Sequence, residues 1–175
     1  MIRSANALQE ARRSHELAAE ADPRPAWNKV AKRTRAVTGG WDDASAIERY
    51  ESHGGRLVKG RGTLTGPRTV RVNGETYRAR RGVVIGTGSK ATIPAIPGLG
   101  DVDYWTTHDA VQAEDLPDSL VVIGGGASGC ELGQVFARYG VDVTIVDAKD
   151  RLLHREEPEA SEAIAQAFGS EGIDV

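Results

Sequence analysis

The sequence predicts an α/β protein whose second half opens a dinucleotide-binding βαβ unit. Three observations predict it. An apolar run, Leu120-Val121-Val122-Ile123, leads straight into Gly124-Gly125-Gly126-Ala127-Ser128-Gly129, a G-x-G-x-x-G turn with its glycines at 124, 126 and 129. A helical pattern follows (Leu132, Val135, Phe136, Tyr139) and Gly140 stops it. A second apolar run, Val141 to Val146, then ends on Asp147, close to the ~20-residue spacing at which such units carry an acid. A glycine-rich turn alone is a weak signal; the strand before it, the helix after it and the acid beyond make it specific.

Each residue type in that stretch has a mechanical reason. Gly124 makes the tight turn, Gly126 lets the backbone approach a pyrophosphate, and Gly129 lets the helix pack close to the strand. The helix start then faces the phosphates with unpaired N–H groups. Asp147 is expected to accept hydrogen bonds from the adenosine ribose hydroxyls, which favours NAD over NADP.

Composition narrows the class. The chain has 175 residues, 39% of them apolar, with 21 glycines, as fits a globular α/β chain. A formal net charge of −3 offers no electrostatic case for nucleic acid. No apolar run reaches the roughly 18 residues that a membrane span needs. The N-terminal stretch is rich in Ala, Arg and Glu and lacks the apolar core of a secretory signal, so a cytoplasmic location is expected. The four histidines are scattered without ligand spacing, and no metal site is expected. The single cysteine, Cys130, cannot form an internal disulfide or a Cys-x-x-Cys site. Its place on the first turn after the glycine loop suggests a small buried filler. The helix dipole is expected to lower its pKa somewhat, which leaves a reactive thiol open.

In chain order, Ser4 to Glu20 reads as a helix with Ala5, Leu8, Ala11 or Arg12, His15 and Ala19 along one side, broken by Asp22-Pro23-Arg24-Pro25. Trp27 to Val37 and Asp42 to Ser52 read as two more helices around Thr38-Gly39-Gly40, with Asp42 as N-cap of the second. The cations Lys29, Lys32, Arg33 and Arg35 read as a solvated face. At His53-Gly54-Gly55 the period changes. Arg56 to Leu64 reads as a glycine-broken strand, Gly66-Pro67 turns the chain into Thr69 to Val72, and Asn73-Gly74 is a hairpin signal before the return strand Thr76 to Ala79. Gly82-Val83-Val84-Ile85-Gly86 reads as a short buried strand ending at Thr87-Gly88-Ser89. Ile93 to Gly100 is an extended connection, Thr107 to Ala113 a short helix and Leu116-Pro117-Asp118 a turn at a domain boundary. Beyond Asp147, a polar loop (Lys149 to Pro158) precedes a helix, Glu159 to Phe168, ended by Gly169 or Gly172. Ile173-Asp174-Val175 begins another strand.

A meander, an apolar strand ending in T-G-S with I-P-G-L soon after, and then G-G-G-x-x-G-x-E resemble, in that order, the flavin-dependent pyridine nucleotide-disulfide oxidoreductases. The resemblance covers essentially the whole chain, including Asp150-Arg151-Leu152-Leu153 and Glu156-Glu157-Pro158-Glu159, and is nearest the dihydrolipoamide dehydrogenase and mercuric reductase-like branch. It implies a partial FAD domain over 1–117 with a β-meander, followed by the first half of a Rossmann-type NAD(P) domain over 118–175. It implies hydride transfer between nicotinamide and flavin in the service of cell redox homeostasis, with a small-molecule or protein-bound disulfide as substrate, and a homodimer for the full-length enzyme.

By position, the resemblance assigns Gly124, Gly125, Gly126, Ala127, Ser128, Gly129, Cys130, Glu131 and Asp147 to NAD, and Gly62, Thr87, Gly88 and Ser89 to FAD. Asp147 stands where the family has a glutamate, with the same charge on a shorter arm. Gly86 departs from the family's A-T-G, and Ala127 and Ser128 replace bulkier residues, so no aromatic gate is implied. Glu131 would face the nicotinamide and flavin; the plain alternative is an exposed first-turn glutamate favoured by the helix dipole. The resemblance also implies an internal fragment. The FAD glycine loop, the Cys-x-x-x-x-Cys pair and its lysine are expected upstream of Met1, and the remaining nicotinamide, FAD and dimerisation segments downstream of Val175. No catalytic residue of the disulfide chemistry is then expected within the chain, which should be inactive and poorly stable alone, with unpaired sheet edges and open apolar faces. Two alternatives stay open: a stand-alone nucleotide-binding module, and an NADH oxidase or ferredoxin reductase-like flavoenzyme.

Overall fold

The computed structural model describes residues 1–17 and 22–175. Its packing divides the chain into two compact units, Met1–Gly40 with Ala95–Val175, and Trp41–Pro94. Among the described residues no helix is long and apolar enough to cross a membrane.

Among the described residues, the buried core lies in the first unit. Helix α1 (Ile2–Leu17) buries Ala5 and half-buries Leu8 and Ala11 on one side, as its spacing predicts. The expected continuation over residues 18–20, with Ala19, lies outside the described residues. Helix α2 (Trp27–Val37) inserts Trp27 and Val30 and leaves Lys29, Lys32, Arg33 and Arg35 in water, the last paired with Glu114 at 2.6 Å. The Trp27 indole N–H donates to the Ala113 carbonyl at 3.2 Å, just past α4 (Thr107–Gln112).

Strands β4 (Ser119–Ile123) and β5 (Asp142–Val146) pair in parallel, Leu120 opposite Val143 and Val122 opposite Ile145. Helix α5 (Ala127–Arg138) crosses between them and ends near Gly140, whose φ of 97° suits glycine. Helix α6 (Pro158–Ser170) starts on a proline, an N-terminal position where the missing N–H costs nothing. It runs through Gly169 and ends before Gly172, at φ 74°. Beyond it, Asp174 bridges Thr144 in parallel, so the expected third strand begins beside β5. Val143, Ile145, Val135, Phe136 and Phe168 are fully buried between sheet and helices. On the other face of the sheet Val121, Ile123 and Val146 are exposed.

The second unit is thinner. Helix α3 (Ala44–Ser52) starts two residues later than expected, so Asp43 rather than Asp42 stands at its N-cap, without a side-chain cap bond; Asp42, one residue earlier, accepts the Ala44 N–H at 3.0 Å. Three short antiparallel strands follow, β1 (Thr63–Gly66), β2 (Thr69–Val72) and β3 (Glu75–Arg78). Asn73 and Gly74 both take positive φ, 51° and 86°, which matches the right-handed twist of a tight hairpin.

Two further expectations fail here. Of Arg56 to Leu64 only Thr63 and Leu64 join a strand; the segment before them is irregular, tied by the Asn73 amide to the Lys59 carbonyl at 2.8 Å. The buried strand over Gly82 to Gly86 is absent, and Val84 and Ile85 are 95% and 67% exposed. A strand needs a neighbour for its backbone groups, and no described residue pairs with 82–86.

Candidate functional site

In the turn between β4 and α5, Gly124, Gly125 and Gly129 stand where a side chain would be strained or would clash. Gly124 sits at φ 113°, a left-handed backbone that a β-carbon disfavours. A β-carbon at Gly129 would collide with the Gly124 carbonyl oxygen, and one at Gly125 with the Leu152 side chain. At Gly126 the situation reverses. Its backbone is extended (φ −78°, ψ 179°) and nothing lies within 4 Å of where a β-carbon would stand. The bare face there belongs to an exposed glycine at the start of α5, where Ala127 and Ser128 are exposed too. Unpaired helix N–H groups beside an open backbone suit a phosphate group.

Asp147 closes the far side. One carboxylate oxygen accepts the Gly125 N–H at 2.6 Å and the other the Lys149 N–H at 2.8 Å. These bonds, Lys149 first, hold its carboxyl below the ordinary aspartate value. Each oxygen keeps lone-pair capacity for a further donor, such as a ribose hydroxyl. The structure thus brings Gly124–Gly129 and Asp147 together. Glu131 is exposed on the first turn of α5.

Cys130 is buried, as a small filler should be, with its thiol directed at the Gly125 carbonyl at 3.4 Å. Its pKa moves opposite to expectation. Burial raises it, the Asp147 charge raises it further, and these outweigh the backbone contribution that lowers it. A thiol held protonated is not the reactive one that the helix dipole suggested.

The expected flavin residues lie in the second unit. Gly62 backs onto Val70, whose side chain would be 3.5 Å from a β-carbon there. Thr87, Gly88 and Ser89 are exposed in an irregular stretch, with Gly88 at φ 71°.

Sequence reasoning missed the back of the loop. Leu152 and Leu153 stand in what reads as a polar loop, yet Leu152 is buried against Gly125 and the Leu153 N–H donates to the Gly125 carbonyl at 2.8 Å. Ser161 on α6 donates its hydroxyl to the Leu152 carbonyl at 2.6 Å. A signal was present. Ser161 precedes Ile164 and Phe168 by three and seven positions, so it shares the buried face of that helix.

Residues 5–175 match the family model described as pyridine nucleotide-disulphide oxidoreductase. Among curated relatives, the mercuric reductase of Bacillus cereus is 41% identical over 129 residues, 74% of this chain and 20% of that protein. The mercuric reductase of Staphylococcus aureus is 34% identical over 129 residues, 74% of this chain and 23% of that protein. The chain thus spans under a quarter of the length of these two relatives. Among solved structures, the HOCl-induced flavoprotein disulfide reductase RclA from Escherichia coli superposes with a TM-score of 0.75 at 21% identity, over 99% of this chain and 38% of that one. LpdA from Mycobacterium tuberculosis gives 0.71 at 22% identity, over 99% and 39%. These two likenesses concern the fold, and they agree with the predicted α/β class. On a family match that runs from residue 5 to the last, the chain belongs to the pyridine nucleotide-disulphide oxidoreductase family.

Proposed function

We propose that Gly124–Glu131 and Asp147 form the nicotinamide-dinucleotide site of a flavin-dependent oxidoreductase of the disulfide reductase type. The observation that carries this reading is the bare face of Gly126 at the start of α5, beside a glycine loop that Asp147 pins at Gly125. Free α5 N–H groups bind the pyrophosphate. The Asp147 carboxylate orients the adenosine ribose and repels a 2′-phosphate, so NAD is preferred over NADP. Glu131 stands at the nicotinamide end, and Gly62 with Thr87, Gly88 and Ser89 belongs to the FAD side. In such an enzyme the nicotinamide supplies a hydride and the flavin relays the electrons to the acceptor.

In this reading 1–117 is part of the FAD domain and 118–175 the first half of the NAD(P) domain, in a cytoplasmic homodimer. The substrate is a disulfide or, given the likeness to mercuric reductases, a thiol-reactive metal ion. One buried cysteine cannot form a dithiol pair, so we infer that this chain alone binds the dinucleotide without turning over a disulfide.

Gly126→Val tests the reading. The extended backbone there accepts a side chain, so the fold should hold, with the melting temperature lowered only slightly by an apolar N-cap, while the valine fills the cradle and NADH binding, followed by nicotinamide fluorescence, is lost. Undiminished NADH affinity in a folded Gly126→Val chain would refute the site.

A further inference from the structure

The glycine loop is held from behind by residues that no dinucleotide would touch. Ser161 is buried on α6, and its hydroxyl donates to the Leu152 carbonyl at 2.6 Å. Leu152, 3% exposed, fills the space that a side chain at Gly125 would need. The next residue, Leu153, turns back in a left-handed conformation (φ 48°), uncommon for a residue with a β-carbon. In that bend its N–H reaches the Gly125 carbonyl at 2.8 Å. The Arg151 guanidinium gathers the bend from the other side, donating to the carbonyls of His154 at 2.9 Å and Glu156 at 3.0 Å.

A trans peptide is planar, with C=O and N–H pointing opposite ways. Fixing the Gly125 carbonyl on Leu153 therefore aims the Gly126 N–H away from the bend. That N–H makes no hydrogen bond to any described residue, and it belongs to the glycine whose β-carbon side is open. We propose that Ser161, acting through the Leu152–Leu153 peptide, is a positioning residue for dinucleotide binding. It keeps the Gly125–Gly126 peptide in the orientation that presents the Gly126 N–H to the pyrophosphate. The inference rests on the dinucleotide reading above and adds a control point on a different helix.

The energetics make the device sensitive to one hydroxyl. Without it, the Leu152 carbonyl is left buried and unpaired, which proteins seldom tolerate. The readiest relief is rotation of the 152–153 peptide toward water, which also releases Leu153 from its positive φ and gives up the bond to Gly125.

Ser161→Ala in the full chain is the test, with three readouts. NADH affinity should fall about tenfold, the scale of one buried hydrogen bond lost with its partner stranded. The affinity for adenosine, which has the ribose but no phosphate, should stay within a factor of about two, because Asp147 is held by the Gly125 and Lys149 N–H groups and not by the Gly125 carbonyl that Leu153 fixes. Amide hydrogen exchange at Leu153 should accelerate while Val143 and Ile145 keep wild-type protection. Equal losses for NADH and adenosine would mark a general loosening and overturn the proposal. So would unchanged NADH affinity, or unchanged exchange at Leu153. If the wild-type chain binds no NADH, the dinucleotide reading falls by itself, and the Leu153 exchange rate alone then decides whether Ser161 holds the loop.

Discussion

Residues 119–175 put Phe136, Phe168, Val143 and Ile145 out of water, whereas no residue between Trp41 and Pro94 is buried. Both stretches carry apolar strand-like runs of similar strength, Leu120 to Ile123 in one and Val83 to Ile85 in the other. The difference lies in where the partners are. β4 finds β5 some twenty residues on and is covered by the helix that connects them, so the unit closes its own hydrogen bonds and half of its apolar surface. Val83 to Ile85 finds no strand among the described residues and stays open. A motif that carries its own partners takes shape locally; one that depends on distant partners does not.

Breaking the closed region should be costly. Phe136 is fully buried, with its ring 5.3 Å from that of Trp27 and 6.2 Å from that of Trp105. Phe136→Ala should destabilise the chain by about 4 kcal/mol in denaturant unfolding followed by tryptophan fluorescence. Gly129→Ala forces a β-carbon onto the Gly124 carbonyl and should cost about 3 kcal/mol, the upper range of overpacking, with NADH binding lost as well. Next comes Arg138→Met. Arg138 and Glu171 meet at 2.8 Å with side chains only 11% and 13% exposed, and Glu171 also accepts from Gln134. Breaking one side of this nearly buried pair should cost about 2 kcal/mol, less than for a fully buried pair.

Acid should distinguish the regions as well. The Asp147 carboxyl has its pKa lowered in the folded chain by the Lys149 and Gly125 N–H groups. Its contribution is therefore complete above the unfolded aspartate value of about 4 and disappears as the pH falls through the lower folded value. The melting-temperature gap between wild type and Asp147→Asn should be constant from about pH 5 to 8 and close below about pH 4. A gap that instead widens in acid reverses the sign assigned to this carboxylate. In the open region, Val84→Ser should change stability by less than about 0.5 kcal/mol, because a side chain 95% exposed has little burial to lose. A large loss there would mean that Val84 is covered in solution and that the contrast between the regions is wrong.

The same contrast explains what could be read in advance. The glycine turn, α5 and the Asn73-Gly74 hairpin depend on residues near one another in sequence, and each forms as its residues imply. The Val83 to Ile85 strand could not be judged that way, since its apolar run says nothing about the neighbour it needs. The direction of the Cys130 shift turns on how far burial and the nearby Asp147 carboxylate outweigh a backbone hydrogen bond, a balance that only packing reveals. The spacing from Ile164 and Phe168 places Ser161 on the buried face of its helix, but it does not say which backbone carbonyl, nine residues earlier, the hydroxyl meets.

The central claim is that Gly124–Gly129 and Asp147 form a site shaped for a dinucleotide with a free ribose 2′-hydroxyl. Parallel titrations of the chain with NADH and NADPH test it most directly. NADH should bind at least about tenfold more tightly, because the 2′-phosphate of NADPH would meet the Asp147 carboxylate that the loop holds in place. Equal affinities, or tighter binding of NADPH, would contradict it.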